Sequence, residues 1–248
     1  MHALRPDWPV AGRVRAVFTL RAGGVSTGHC ASLNIGAQVQ DDPAAVAENR
    51  RRLITAFDLP AEPTWLTQVH GAAVSRLEPR HEPSLNADAV VTAATGRVCV
   101  IQVADCLPVL FAARDGSVIG AAHAGWRGLA AGVLENTLTQ LGVPPAQLLA
   151  WIGPGIGPAH FEVGAEVRDA LLESAPKNGT GQAADAFQPN ARGRWQCDLV
   201  ALIRQRLAAA GLIGIHGGNW CTFADAERFF SHRRDGRSGR MAALIWLV

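Results

Sequence analysis

Two histidines and a cysteine carry the chemistry most visible in this chain: His70 in QVHG, Cys106 in ADCLP and His123 in AAHAGWRG. Each stands at the end of a strand-like run beside small or turn-forming residues. Two neutral imidazoles and one thiolate suit Zn²⁺, and three protein ligands leave a fourth position for water or substrate. Water on such an ion has its pKa lowered to about 7, so hydroxide becomes available at neutral pH. The three residues are much further apart along the chain than the ligands of a zinc finger, so the fold must assemble any site they share. The same residues also suit a nucleophilic pair, with Cys106 attacking and His123 as its base. A buried strand cysteine beside two core or turn histidines is the bland alternative. Asp105, next to Cys106, is a candidate general base or histidine-orienting group, or simply a turn residue ahead of Pro108.

Two arginines are candidates for phosphate or ribose: Arg21, just before Gly23–Gly24, and Arg127, just after Trp126. Gly23–Gly24 and the GPGIGP stretch can expose backbone N–H groups to an anion. Neither has the form of a dinucleotide fingerprint or a P-loop, and ordinary turns explain both equally well. The segment 228–240, RFFSHRRDGRSGR, gathers Arg228, Arg233, Arg234, Arg237 and Arg240. It offers few aromatics for base stacking, and Asp225, Glu227 and Asp235 lie close by. It therefore reads as a solvated turn with internal ion pairs first, and as a phosphate site second.

The elements that must position these groups alternate between strand and helix. RVRAVFTL (13–20) reads as a strand running into a Gly/Ser/Asn-rich loop at 21–36. Asp42 as N-cap and Pro43 at the first helical position then open a helix. A strand broken at Gly71 is expected within 63–77, followed by a polar stretch at 78–87. The run 96–113 reads as one strand rich in β-branched residues, interrupted at Asp105–Pro108. A buried strand over 117–128 ends in a glycine-flanked turn, and a helix over 129–141 is closed by Gly142. This strand–loop–helix unit carries His123 where α/β proteins usually place their chemistry. A strand from 148 enters the Gly/Pro-rich loop, and 162–174 reads as a helix. Residues 177–194 read as an exposed excursion. Asp198 caps a helix ending at Gly211, and a strand pair is expected in GIHGGNWC and MAALIWLV. The sequence shows neither an internal repeat nor a linker, so 1–248 reads as a single domain.

Composition excludes several classes. At 248 residues, 48% hydrophobic and 18% charged, the chain can bury a sizeable core and is not disordered. A net charge of +2 gives no argument for nucleic acid. The N-terminus lacks the pattern of a signal peptide, and no apolar run approaches the roughly 20 residues of a membrane helix. Five cysteines with no CxxC pair argue against a disulfide framework and for a reducing cytoplasm.

Eight blocks, in order, resemble one known family. They are RAGGVSTGHCASLNIGAQVQDDPAAVAENRRRL, QVHG, ADAVVT, ADCLPVLF, GAAHAGWRG, IGPGIGPAHFEVG, CDLV and FFSHRRDGRSGRMAALIWL. They are similar to the YfiH family, historically labelled laccase-domain or polyphenol oxidase proteins and later described as purine nucleoside phosphorylases. The resemblance runs from about residue 17 to the C-terminus. It implies an α/β (α+β) fold, a layered α/β/β/α sandwich grouped with cysteine hydrolase-like proteins. It implies that His70, Cys106 and His123 match zinc ligands. It further implies phosphorolysis of adenosine, inosine, guanosine and S-methyl-5′-thioadenosine, together with adenosine deamination. On that basis Cys106, His123 and Asp105 are expected in catalysis, and Arg21, Asn34 and Arg127 in binding, Asn34 through its amide. The expected partners are purine nucleosides and phosphate, with no nucleic acid and no membrane, for a monomer or homodimer. One departure is His232, where the pattern has an aromatic. Cu²⁺ is the alternative occupant, since it outcompetes Zn²⁺ at many N/S sites. Copper-dependent phenol oxidation ranks lower, because the eight histidines lack the paired H-x-H clusters of a multicopper centre. A Cys–His amide hydrolase and a non-catalytic nucleoside-binding module complete the alternatives.

Overall fold

The computed structural model describes residues 1–78, 83–177 and 183–248. Three sheets and the helices against them give a mixed α/β chain. The first sheet has the spatial order β1 (Ala3–Leu4), β2 (Val14–Thr19), β13 (Met241–Leu247), β5 (Val98–Val103), with every neighbouring pair antiparallel. The second runs β12 (Gly214–Gly217), β8 (Leu148–Ile152), β6 (Leu107–Ala113), β7 (Ile119–Ala124), β4 (Ala89–Thr92), β3 (Val74–Arg76). Its two outer pairs are parallel and its inner pairs antiparallel. A small third sheet joins β10 (Phe187–Pro189), β11 (Trp195–Cys197) and β9 (Glu162–Val163).

The two-residue period of the strands decides which core each side chain enters. Cys99, Ile101 and Val103 of β5 pack with Val90, Leu110 and Ile119 of the six-stranded sheet, between the two large sheets. Val98 and Val100 point the other way and meet Leu53 of α1 (Pro43–Phe57). The other face of the six-stranded sheet, through Val91, Val109 and Phe111, packs on Leu134 and Leu138 of α3 (Val133–Leu141). Leu202 and Ile203 of α5 (Leu199–Ala209) close the same core. Strands buried on both faces explain why β6 and β13 read as unbroken apolar runs, and why β4 and β7 are apolar apart from Thr92 and His123.

Helix α1 begins where its caps require. The Asp42 carboxylate accepts from the Ala44 N–H, and Pro43 fills the first position. Its buried Asn49 ties down the 21–36 loop. The Asn49 amide donates to Ser32 O, Asn34 O and Ser26 Oγ, and its oxygen accepts from Val25 N. A polar, glycine-rich loop is thereby fixed from beneath by one side chain.

Several elements depart from the sequence reading. The run 96–113 is two strands in different sheets, β5 and β6, and the chain crosses between them at Ala104–Cys106 while Pro108 lies inside β6. The expected helix over 129–141 starts earlier, as α2 (Trp126–Ala130), and is broken before α3 at Gly132, whose φ is +86°. Within 63–77 only β3 is a strand, preceded by an isolated bridge between Thr67 and Asn86. Glu162–Val163 form β9, so the helix α4 starts later and spans Ala165–Glu173. GIHG and the C-terminal run are both strands, but β12 pairs with β8 and β13 with β2 and β5. Of the expected excursion at 177–194, residues 178–182 lie outside the described residues, and Phe187 is buried at the start of β10. Residues 79–82 of the polar stretch likewise lie outside them. Among the described residues no helix is long and apolar enough to cross a membrane.

Candidate metal centre

The crossing between the sheets builds the site. The chain leaves β5, turns through Asp105 with φ +86°, and enters β6 immediately after Cys106. His123 lies on the neighbouring strand β7, whose Ala124 pairs with Leu107. His70, with φ +60°, reaches the same point from the loop ahead of β3. Two of the four non-glycine residues with positive φ among those described are therefore at the site, an arrangement characteristic of functional positions. Gly125 makes the close approach possible. A Cβ there would lie 2.8 Å from Cys106 Sγ and 3.4 Å from His70 Cδ2.

One ligand atom from each of His70, Cys106 and His123 lies within 4.8 Å of the others. The two imidazole rings meet edge to face with centroids 4.8 Å apart. Tetrahedral zinc bonds set ligand atoms roughly 3.3–3.8 Å apart, so a small inward shift of side chains would close the set on one ion. Exposure falls from His70, open to solvent, through half-buried Cys106 to buried His123.

Asp88, fully buried, organises the cluster. Its Oδ1 accepts from His123 Nδ1 at 2.9 Å and from His70 N at 2.9 Å. Its Oδ2 accepts from Gly71 N at 2.7 Å and Val69 N at 3.1 Å. The His123 Nδ1 bond leaves Nε2 for the cluster, the arrangement by which a carboxylate orients a metal-ligating imidazole. Burial opposes the Asp88 charge, but His123 and the Gly71 and Val69 N–H groups outweigh it and hold the carboxyl below its ordinary value.

Burial alone would raise the Cys106 thiol. The charges and hydrogen bonds of His123 and His70 overcome it and bring the thiol down to about 6. Burial likewise disfavours the His123 cation, while Cys106 and Asp88 outweigh it and push the imidazole up to about 9. Without metal the pair is thus a thiolate and an imidazolium across neutral pH. The thiolate is present above about 6 and lost as pH falls through it, so acid removes a ligand. In metal-free protein the thiolate ultraviolet absorbance of wild type minus Cys106→Ala is expected to titrate with a midpoint near 6. In a His123→Ala background that midpoint is expected to rise, because burial is then opposed by His70 alone. An unmoved midpoint would show that His123 does not set the thiolate.

The cluster opens into a cavity of about 530 Å³. Its lining includes Asp105, Trp65, Trp126, Phe161 and four arginines, Arg50, Arg127, Arg233 and Arg240. The structure thus brings His70, Cys106, His123, Asp105 and Arg127 together. Asp105 is engaged on both oxygens, accepting from Thr222 Oγ1 at 2.6 Å and Arg233 N at 2.6 Å, so it braces the cavity wall. Arg127 lies over the Trp126 ring at 4.3 Å. Arg21 and Asn34 are not among the lining residues. The Arg21 guanidinium donates to Ala31 O and Ala226 O, and Asn34 is fully buried. Within 228–240, Arg228 pairs with Asp225 and Arg234 with Asp235, while Arg233 and Arg240 face the cavity. Sequence reasoning missed Asp88, Arg50 and Gly125, and named Arg240 only as one of the five arginines of 228–240. Asp88 gave one signal, an acid directly before a four-residue strand with no exposed face.

The chain belongs to the family described as multi-copper polyphenol oxidoreductase laccase, whose model matches residues 15–248. It is 53% identical over 245 residues to a protein of Pseudomonas aeruginosa named purine nucleoside phosphorylase, covering 98% of each chain. It is 47% identical over 243 residues to the purine nucleoside phosphorylase YfiH of Escherichia coli, again covering 98% of each. Among solved structures it is similar to a Neisseria meningitidis protein, with TM-score 0.91 and 42% identity, covering 100% of this chain and 99% of the other. YlmD from Geobacillus stearothermophilus gives TM-score 0.91 at 32% identity, covering 100% and 96%.

Proposed function

We propose that this protein is a zinc-dependent enzyme that cleaves purine nucleosides with phosphate. The observation that carries the reading is the His70–Cys106–His123 cluster at the wall of a cavity lined by four arginines. The names of its relatives support the substrate class. A cavity of about 530 Å³ is of the size that takes small-molecule ligands, commonly about 300–1,000 Å³.

In phosphorolysis a phosphate oxygen forms a bond to C1′ of the ribose while the C1′–N9 bond breaks. The electron pair of that bond leaves with the purine, which takes up a proton, and ribose 1-phosphate, or its 5-methylthio counterpart from S-methyl-5′-thioadenosine, remains. The chain must hold an anion and stabilise charge growing on the base. The arginines do the first, and the Trp65, Trp126 and Phe161 rings offer apolar faces for the purine. His70, Cys106 and His123 would hold the metal, with Asp88 orienting His123; when bound, the metal supplies Lewis-acid polarisation. The substrates in this reading are adenosine, inosine, guanosine and S-methyl-5′-thioadenosine. Adenosine deamination, in which water replaces the 6-amino group and ammonia leaves, is its second activity. The core between the two large sheets, with helices on their outer faces, supports the layered α/β/β/α description for one domain.

The lowered Cys106 thiol favours one second reading, a Cys–His nucleophilic pair acting on amides. A multicopper oxidase would need several ligand clusters. Among the described residues one such group is assembled.

Purine release from adenosine, inosine and methylthioadenosine, followed with and without phosphate, tests the proposal. Phosphate-dependent release that stops on chelation and returns with zinc is the expected result. Metal-loaded protein that releases no purine under any condition would overturn it. Amide cleavage surviving chelation would favour the thiol reading.

A further inference from the structure

The four cavity arginines are not equivalent. Arg50 gives its Nε to Ile35 O and lies over the Trp65 ring at 4.0 Å. Arg127 lies over Trp126, and Arg233 over Phe161 at 5.2 Å while donating to Glu162 O. Arg240 has no ring beneath it among the described residues. Its Nη1 donates to Ser238 O at 2.7 Å and to Gly239 O at 3.1 Å, which fixes the plane of the guanidinium. The opposite edge, Nε with Nη2, makes no hydrogen bond to the protein among the described residues. That edge is one of the two that receive a pair of oxygens from phosphate or carboxylate side by side.

The fold invests in this placement. Asn34, fully buried, accepts from Arg240 N at 2.8 Å and from Gly36 N at 2.9 Å. Its amide donates to Asp41 and to Gly36 O, and Ile35 N bonds Arg240 O. Gly36 clears the path of the side chain, since a Cβ there would lie 2.7 Å from Arg240 Cγ. Arg240 borders both the main cavity and a smaller one of about 190 Å³ that it shares with His232 and Arg237. Among the described residues no carboxylate lines the smaller cavity, and in the larger one Asp105 is already satisfied on both oxygens. Arg240 lines the same cavity as His70, Cys106 and His123, and burial weakens its charge while Cys106, Asp105 and Cys30 hold it up.

We propose that Arg240, held in place by Asn34 and Gly36, is the residue that binds the tetrahedral oxyanion of the reaction, inorganic phosphate, through its free Nε–Nη2 edge. This inference rests on the phosphorolytic reading and assigns the anion's position within that cavity. It also gives Asn34 a function one step removed from substrate. The amide sets the backbone that carries Arg240.

The test measures two things on wild type, Arg240→Lys, Arg240→Met and Arg237→Met. One is calorimetric binding of inorganic phosphate at constant ionic strength; the other is KM for phosphate and for inosine. Arg240→Met is expected to weaken phosphate binding and raise its KM by about 10- to 100-fold, the worth of a charged hydrogen-bond pair. KM for inosine should stay close to wild type. Arg240→Lys keeps the charge but not the fork, and should recover only part of the loss. Arg237→Met removes a neighbouring charge and should leave both constants nearly unchanged. Unaltered phosphate binding in Arg240→Met would overturn the assignment, as would an equal loss in Arg237→Met, which would signal a diffuse field. If Arg240→Met fails to fold, Arg240→Lys decides: wild-type phosphate affinity there overturns the fork. A purine 5′-monophosphate titrated in parallel separates the sources, and dependence on Arg240 for that ligand alone would overturn the inference. Wild type that binds phosphate through Arg240 yet releases no purine would keep the site and sink the phosphorolytic reading.

Discussion

Cys106→Ala is expected to strip the metal and to lower phosphate-dependent purine release by more than about 100-fold. Loss of a supporting hydrogen-bond partner alone typically costs about 10- to 100-fold in metal affinity, and here a ligand itself disappears. The residue is half-buried at the mouth of β6, and its side chain faces the two imidazoles rather than the apolar core. Truncation therefore leaves a small space at a polar wall, and the variant should fold. What remains, His70 and His123, is a two-nitrogen set with no anionic ligand. Without the thiolate, the His123 imidazole loses the largest influence holding it protonated, though Asp88 still bonds its Nδ1. Metal content and rate should thus fall together in the same preparation, with circular dichroism unchanged. A variant that keeps its metal and its rate would show that the cluster is not the reaction centre. Loss of activity with metal retained would instead point to Cys106 as a nucleophile.

The three candidate ligands stood out singly because each departs from its surroundings, while the family resemblance, not their spacing, joined them into one site. His70, Cys106 and His123 interrupt strand-like runs next to glycine or proline, where a packed strand has no use for them. Asp88 did not stand out, since one acid before an apolar strand resembles any capping or turn residue. Its meaning comes from cross-strand geometry: His123 N bonds Asp88 O at 2.7 Å, which brings the two side chains together at one end of the sheet. Arg21 and Asn34 lie away from the cavity lining. Both stand in a glycine-rich loop that suggests ligand contact, yet Arg21 satisfies backbone carbonyls and Asn34 holds the 34–36 turn to residue 240. In sequence, a side chain that organises a loop cannot be told from one that meets a substrate, because both need polar groups among flexible residues.

Strand existence was more legible than strand partnership. Alternation tells which residues share a face, and full burial removes even that signal. The run 96–113 therefore read as one interrupted strand, although Val103 and Leu107 belong to different sheets. The same limit applies to β12 and β13, which formed where expected but with other partners. This matters for function, because the crossing from β5 to β6 is what presents Cys106 between the sheets. The glycine at 132 had a clearer signature. A helix interior disfavours glycine by about 1 kcal/mol, and the break between α2 and α3 falls there.

Asp88→Asn is expected to damage stability and metal binding together, although it conserves shape. The carboxylate receives four N–H groups, two on each oxygen: His123 Nδ1 and His70 N on one, Gly71 N and Val69 N on the other. An asparagine supplies one oxygen and one NH₂. Whichever way the amide turns, an NH₂ faces two donors, and the negative charge beside His123 is gone. Leaving a fully buried donor unsatisfied costs about 1–3 kcal/mol, and three of these four are only part-buried, so the loss should be about 2–4 kcal/mol after local adjustment. For a chain of this size that corresponds to a fall in Tm of roughly 2–4 °C per kcal/mol. With the 69–71 turn loosened and His123 free to rotate, zinc affinity should fall by about 10- to 100-fold, as for other carboxylates behind a ligating histidine. Differential scanning calorimetry of the metal-free protein isolates the first effect, and competition with a chromophoric chelator measures the second. The two must move together if one carboxylate serves both histidines. A normal Tm with weakened zinc would confine Asp88 to orienting His123. A lowered Tm with unchanged zinc affinity would mean that the cluster closes on the ion without help from the residue beneath it.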